Sequence, residues 1–199
     1  MKKIMFNDKY GLTQAVLEGR KTQTRRIAYM QNGFVVFDDE DFQLKKLDNG
    51  QALLTLRNNR LKTAHYKLGE TIAIAQKYKD LINDDEFYRL CGKNGMPLEY
   101  IGLEKGCNNK MFVRADLMPH HIRIANIRVE RLQDISEADC LKEGIWRWLE
   151  GTKWWYHDLA NSSFRTPQDA YASLIGRISG KGTWESNPYV FVYDFELID

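Results

Sequence analysis

Disulfide chemistry is the first thing this sequence lacks. Its three cysteines, Cys91, Cys107 and Cys140, are an odd number with no CxxC pair, a pattern that signals neither a disulfide framework nor a zinc knuckle. A reducing, cytoplasmic setting fits them. Long apolar runs are missing too: the opening MKKIMFNDKYG holds lysines and only residues 4–6 as an apolar stretch, far short of a signal-peptide core or a spanning helix. No membrane partner is therefore expected. His65, His120, His121 and His157 lack helical i, i+4 pairing, and neighbours in a strand point to opposite faces, so no metal is expected either. The formal charge of +2 is too small to mark a protein that coats nucleic acid, and leaves room only for a local basic patch. No internal repeat or low-complexity linker divides the chain. Its 199 residues, 43% hydrophobic, suffice for one core, which makes a single domain over 1–199 the expectation.

What is present reads as short strands with helices set between them. A strand is expected over 3–6, then a helix entered through Asn7 or Asp8, both good N-caps, with Leu12, Ala15 and Val16 as its apolar stripe. Gly19 is placed to stop it, because glycine enters the left-handed conformation without a steric cost. Strands follow over 34–37, 42–47 and 52–56, separated by DDED and by DNG, a hairpin signal. A turn at Gly69 and Glu70 launches Ile72 and Ile74 on one face, and a helix is expected over 81–90. HIRIANIRVERL, residues 121–132, is β-branched and predicts a long strand. Ser136 then caps a helix over 137–143, with Asp139 at the capping-box position and Gly144 as the stop. Thr166 caps another over 167–178, with Ala170, Leu174 and Ile178 on one face.

The closing NPYVFVYDFELI alternates: Tyr189, Phe191, Tyr193, Phe195 and Leu197 share one face, Val190, Val192, Asp194 and Glu196 the other. Five to seven strands and three or four short helices, without a βαβ rhythm, give an α+β, mainly β fold class. We read it as a small mixed β-barrel with short peripheral helices and inserted loops. Trp146, Trp148, Trp154 and Trp155 fall within ten residues, beside Arg147, Lys153 and Tyr156. Such a cluster suits base stacking, and it equally suits core packing or a subunit interface.

The densest chemistry lies in GRKTQTRRI, residues 19–27, with four cations, two threonines and no acid. Arg20 and Lys21 complement the negative end of the preceding helix, a structural role that needs no ligand. Gly19, Lys21, Thr24 and Arg26 also match the GxKxxTxR signature of ASCH domains, and on these residues the chain resembles that PUA-like family. LGETIAIAQKY, RVERLQDISEADCLKEGI and GTWESNPYVFVYDFE extend the likeness, the last toward ASCH proteins of phage and prophage origin; residues 28–66, 80–118 and 146–165 are unmatched.

The resemblance implies a PUA-like barrel whose cleft binds RNA or a modified nucleoside. One branch, the bacterial acetylcytidine amidohydrolases, uses a lysine and a threonine of the signature with a glutamate from a later helix. Those roles would fall here to Lys21, Thr24 and Glu143, with Glu137 the competing acid. Arg20, Arg25 and Arg26 are the cations available to RNA or nucleoside.

Elementary chemistry is consistent with both uses. A threonine hydroxyl needs a base, and a lysine serves as one only where burial or neighbouring cations depress its pKa. A protonated glutamate can donate to the leaving amine, and arginine or backbone N–H groups can stabilise an oxyanion. Binding alone asks less: arginines fork to phosphate, lysine acts as a point charge, threonine bonds ribose or base. Lys21 and Thr24 are three apart and point to opposite faces of a regular strand, so a shared site requires a bend after Gly19. The expected function is an RNA- or modified-nucleoside-binding domain with a basic cleft. The alternatives are an amidohydrolase that removes an N-acyl group from a cytidine-like nucleoside, and a non-catalytic phage accessory protein. None of the three requires a metal or organic cofactor.

Overall fold

The computed structural model describes residues 1–28, 42–56, 61–147, 154–155 and 163–199. The strand expected over 34–37, and Trp148, Lys153, Tyr156 and His157, lie outside them. In chain order the elements are β1 (Lys3–Ile4), α1 (Leu12–Leu17), β2 (Gln23–Ile27), β3 (Phe42–Lys46), β4 (Ala52–Leu56), β5 (Leu61–Thr63) and β6 (Thr71–Ile74). They continue with α2 (Asp85–Lys93), β7 (His121–Arg131), α3 (Glu137–Lys142), β8 (Trp146–Arg147), β9 (Trp154–Trp155), α4 (Pro167–Ser179) and β10 (Tyr189–Leu197). Short 3-10 turns fill much of the rest. The architecture is mixed α+β, built on a five-stranded sheet. Among the described residues no helix is long and apolar enough to cross a membrane.

The alternating C-terminal segment forms the spine of that sheet. β10 pairs antiparallel with β7 on one side and β2 on the other, in the order β1-β6-β7-β10-β2. Among the described strands only β1 and β6 run parallel. Val190 and Val192 are as buried as Tyr189 and Phe191, because helices add a layer: Ala170, Tyr171 and Leu174 of α4 belong to the same apolar cluster. β7 accommodates a change of phase in its own sequence. Asp194 faces Asn126 and Phe195 faces Ile124, leaving Ala125 as a bulge that brings Ile122 and Ile124 into register with Ile127 and Val129 on one side.

The expected closed barrel is not formed by strand pairing among the described residues, where β1 and β2 remain at opposite edges. The outer side of β2 meets α3 instead of a strand: Thr22 N–H donates to the Lys142 carbonyl at 2.9 Å. β3, β4 and β5 form a separate antiparallel sheet, and β8 pairs with β9. The helix expected over 81–90 begins later, at Asp85, because Asp84 is the cap and accepts from Phe87 N–H at 2.8 Å. A second apolar cluster gathers Phe87 of α2 with Tyr78, Leu117 and Met118.

Candidate active site at the edge of the sheet

Local sequence positions the basic signature. α1 ends at Leu17, and Gly19 turns the chain with a φ of 72°, a left-handed conformation that strains any residue with a β-carbon. Lys21 N–H closes the turn on the Ala15 carbonyl at 2.8 Å. β2 starts only at Gln23, so the bend that Lys21 and Thr24 require is present. From the other direction, Ser136 Oγ caps α3 by accepting from Asp139 N–H at 3.1 Å, and Glu143 sits at the C-cap. Gly144 then leaves with a φ of 99°, a left-handed conformation that favours glycine. The turn there brings the end of α3 against the lysine.

The approach produces a buried ionic cluster. Lys21 Nζ donates to Glu143 Oε2 at 2.5 Å, to the Glu143 carbonyl at 2.9 Å and to the Gln23 carbonyl at 2.8 Å. Arg25 Nη1 takes the other oxygen, Glu143 Oε1, at 3.0 Å, and Gln23 Oε1 at 2.5 Å. Arg25 Nη2 bonds Glu130 at 2.6 Å and Asp139 at 3.3 Å. Arg128 continues the chain of charges to Glu130, Asp139 and Asp194. Burial pulls the Lys21 ammonium below its ordinary pKa; Glu143 opposes this, while Arg26 and Arg25 reinforce it. Burial also works against the Arg25 charge, but Glu143 and Glu130 more than offset it and raise its pKa.

A cleft of about 650 Å³ opens along β2. It draws on both strand faces, Thr24 and Arg26 from one and Arg25 and Ile27 from the other, because it wraps around the strand. Lys21 and Glu143 line the same cleft, and Leu174 and Ile178 of α4 supply an apolar wall. Thr24 is 5% exposed, and its hydroxyl has no hydrogen-bond partner among the described residues.

Not every expected site residue arrives there. Arg20 is exposed, pairs with Glu18 at 2.5 Å and is absent from the cleft lining. Arg26 does line the cleft, donating to the Met5 carbonyl at 2.9 Å. Glu137 is exposed in the first turn of α3, so Glu143 is the acid beside Lys21. Trp146 is the register partner of Trp155 in the β8–β9 pair and does not line the cleft. Asn187 has a φ of 42° and its side chain accepts from Gln133 N–H at 2.8 Å, a structural role. Among the described residues no group of three or more His, Cys, Asp or Glu could hold a metal ion.

Tyr171 is a cleft residue that sequence reasoning missed, because it sits within the apolar stripe of α4. Its hydroxyl is buried without a hydrogen-bond partner among the described residues, and Arg25 Cζ lies 5.9 Å from its ring centroid. Burial and the nearby Glu143 hold the phenol well above its ordinary pKa, so it stays a donor. No family model, curated protein or solved structure matches this chain.

Proposed function

We propose that this chain is an ASCH-type, PUA-like domain that takes a modified nucleoside into its cleft and hydrolyses an N-acyl amide on a cytidine-like base. The observation that carries the reading is the meeting of Lys21, Thr24 and Glu143 on one cleft, with the lysine and glutamate 2.5 Å apart. The volume of about 650 Å³ falls within the range of pockets for single small ligands. Phosphate recognition has weaker support, since Arg25 is committed to acids and Arg20 lies elsewhere. A binding module without turnover would use the same cleft, with Arg26 among its cations.

In this reading Thr24 Oγ bonds to the acyl carbon as its proton passes to Lys21, which must be neutral to receive it. Burial of Lys21 favours that state. Collapse of the tetrahedral intermediate breaks the C–N bond, and Glu143 relays the proton to the departing amine. Water then attacks the threonyl ester by the same route and releases the acid. Arg26 is a cation of the cleft lining that would stabilise the oxyanion.

The test is hydrolysis of N-acetylcytidine by the purified chain, beside Lys21→Ala and Thr24→Ala. Turnover by the wild type and its loss in both variants is expected. A folded wild type that binds the nucleoside without cleaving it would leave binding as the function.

A further inference from the structure

We infer that Arg25 is a positioning residue: by holding Oε1 of Glu143 it divides that carboxylate between two cations, so that Lys21 works as a base instead of the permanent partner of a salt bridge. The inference rests on the proposed hydrolytic reading for its chemistry. Arg25 occupies an unspecified position of GxKxxTxR, so the resemblance assigns it nothing.

Geometry supplies the first argument. Glu143 Oε2 faces Lys21 at 2.5 Å and Oε1 faces Arg25 at 3.0 Å. Neither oxygen serves both cations. The guanidinium is itself fixed by Gln23 from its own strand, Glu130 from β7 and Asp139 from α3. A planar fork with this many partners cannot swing away to follow Lys21, and an arginine does not give up its proton in a protein.

Charge counting supplies the second. Around this wall stand the acids Glu130, Asp139, Glu143 and Asp194 and the paired cations Lys21, Arg25, Arg128 and Lys142. Arg26 also acts on Lys21, through space. Among the described residues five cations therefore meet four acids. Among the cations that touch Glu143, only Lys21 can shed a proton, and doing so balances the cluster. Removing Arg25 evens the sum: four cations would meet four acids with Lys21 still charged, and Glu143 would keep Lys21 as its ionic partner among the described residues.

The experiment follows the Lys21 side chain directly. Full-length protein carrying ¹³C-lysine is titrated by NMR as wild type, Arg25→Met and Arg25→Lys, with the Lys21 signal assigned by its loss in Lys21→Arg. In the wild type Lys21 is expected to lose its proton at lower pH than the surface lysines. Its midpoint should rise by about one pH unit, a tenfold change in proton affinity, in Arg25→Met. Arg25→Lys keeps a charge but not the fork and should give a smaller rise, and it carries the test if Arg25→Met does not fold. An unchanged midpoint in a folded variant overturns the inference. Where turnover is measured, the acidic limb of the pH–rate profile should move upward by the same amount; a chain with no turnover fails the hydrolytic reading while the titration still decides the role of Arg25.

Discussion

Lys21 and Glu143, 122 positions apart in sequence, meet at 2.5 Å with both side chains almost wholly buried. Their unequal surroundings make the two deletions unequal. Glu143→Ala leaves Lys21 and Arg25 facing each other with their shared anion removed, and should cost about 3–5 kcal/mol. Lys21→Met leaves Glu143 on Arg25 and should cost clearly less. Because burial lowers the folded-state pKa of Lys21 from its ordinary 10.5, the unfolded chain binds more protons between the two values. Stability attributable to Lys21 therefore rises with pH across that window. Urea denaturation of wild type and Lys21→Met over that range should show the wild type gaining on the variant as pH approaches 10.5.

Tyr171→Phe should be neutral or stabilising by up to ~1 kcal/mol, since it removes a buried hydroxyl that bonds nothing among the described residues and keeps the ring beside Arg25. Thermal unfolding of the two proteins is the measurement. A loss above that size would mean that the hydroxyl has a partner in the folded protein.

Thiol labelling reports whether the wall behind Glu143 stays closed. Burial pushes the Cys140 thiol up to about 12 and raises that of Cys91, while Cys107 is only partly buried. Iodoacetamide at pH 8 should modify Cys107 first and reach Cys91 and Cys140 only after unfolding, as read by peptide mass spectrometry. Labelling of Cys140 as fast as Cys107 in folded protein would show that α3 opens.

Much of this site was legible locally. The stop at Gly19, the cap at Ser136 and the turn at Gly144 are short-range signals, and they locate both Lys21 and Glu143. The choice between Glu137 and Glu143 was not, because it depends on which end of α3 docks against β2. Arg25 looks like Arg20 in the sequence, yet one is committed to Glu130 and Asp139, more than 100 positions away, and the other to its neighbour Glu18. Long-range pairing of this kind leaves no local trace. The long β7 strand was legible as a run of β-branched residues, whereas the open order of the sheet depends on which strands find each other.

Among the described residues β2 carries a row of backbone groups that β10 does not use. Ala28 N–H donates to the Tyr189 carbonyl and Phe195 N–H to the Thr22 carbonyl, so the alternate residues Gln23, Arg25 and Ile27 turn their backbone groups away from β10. Such an outward row invites another chain to add a strand. Here the first outward carbonyl, that of Gln23, is occupied by the Lys21 ammonium, and Thr22 N–H by the end of α3. The lysine proposed as the base thus also satisfies a backbone acceptor at the start of β2, and a chain that loses it leaves that buried carbonyl without the ammonium it bonds.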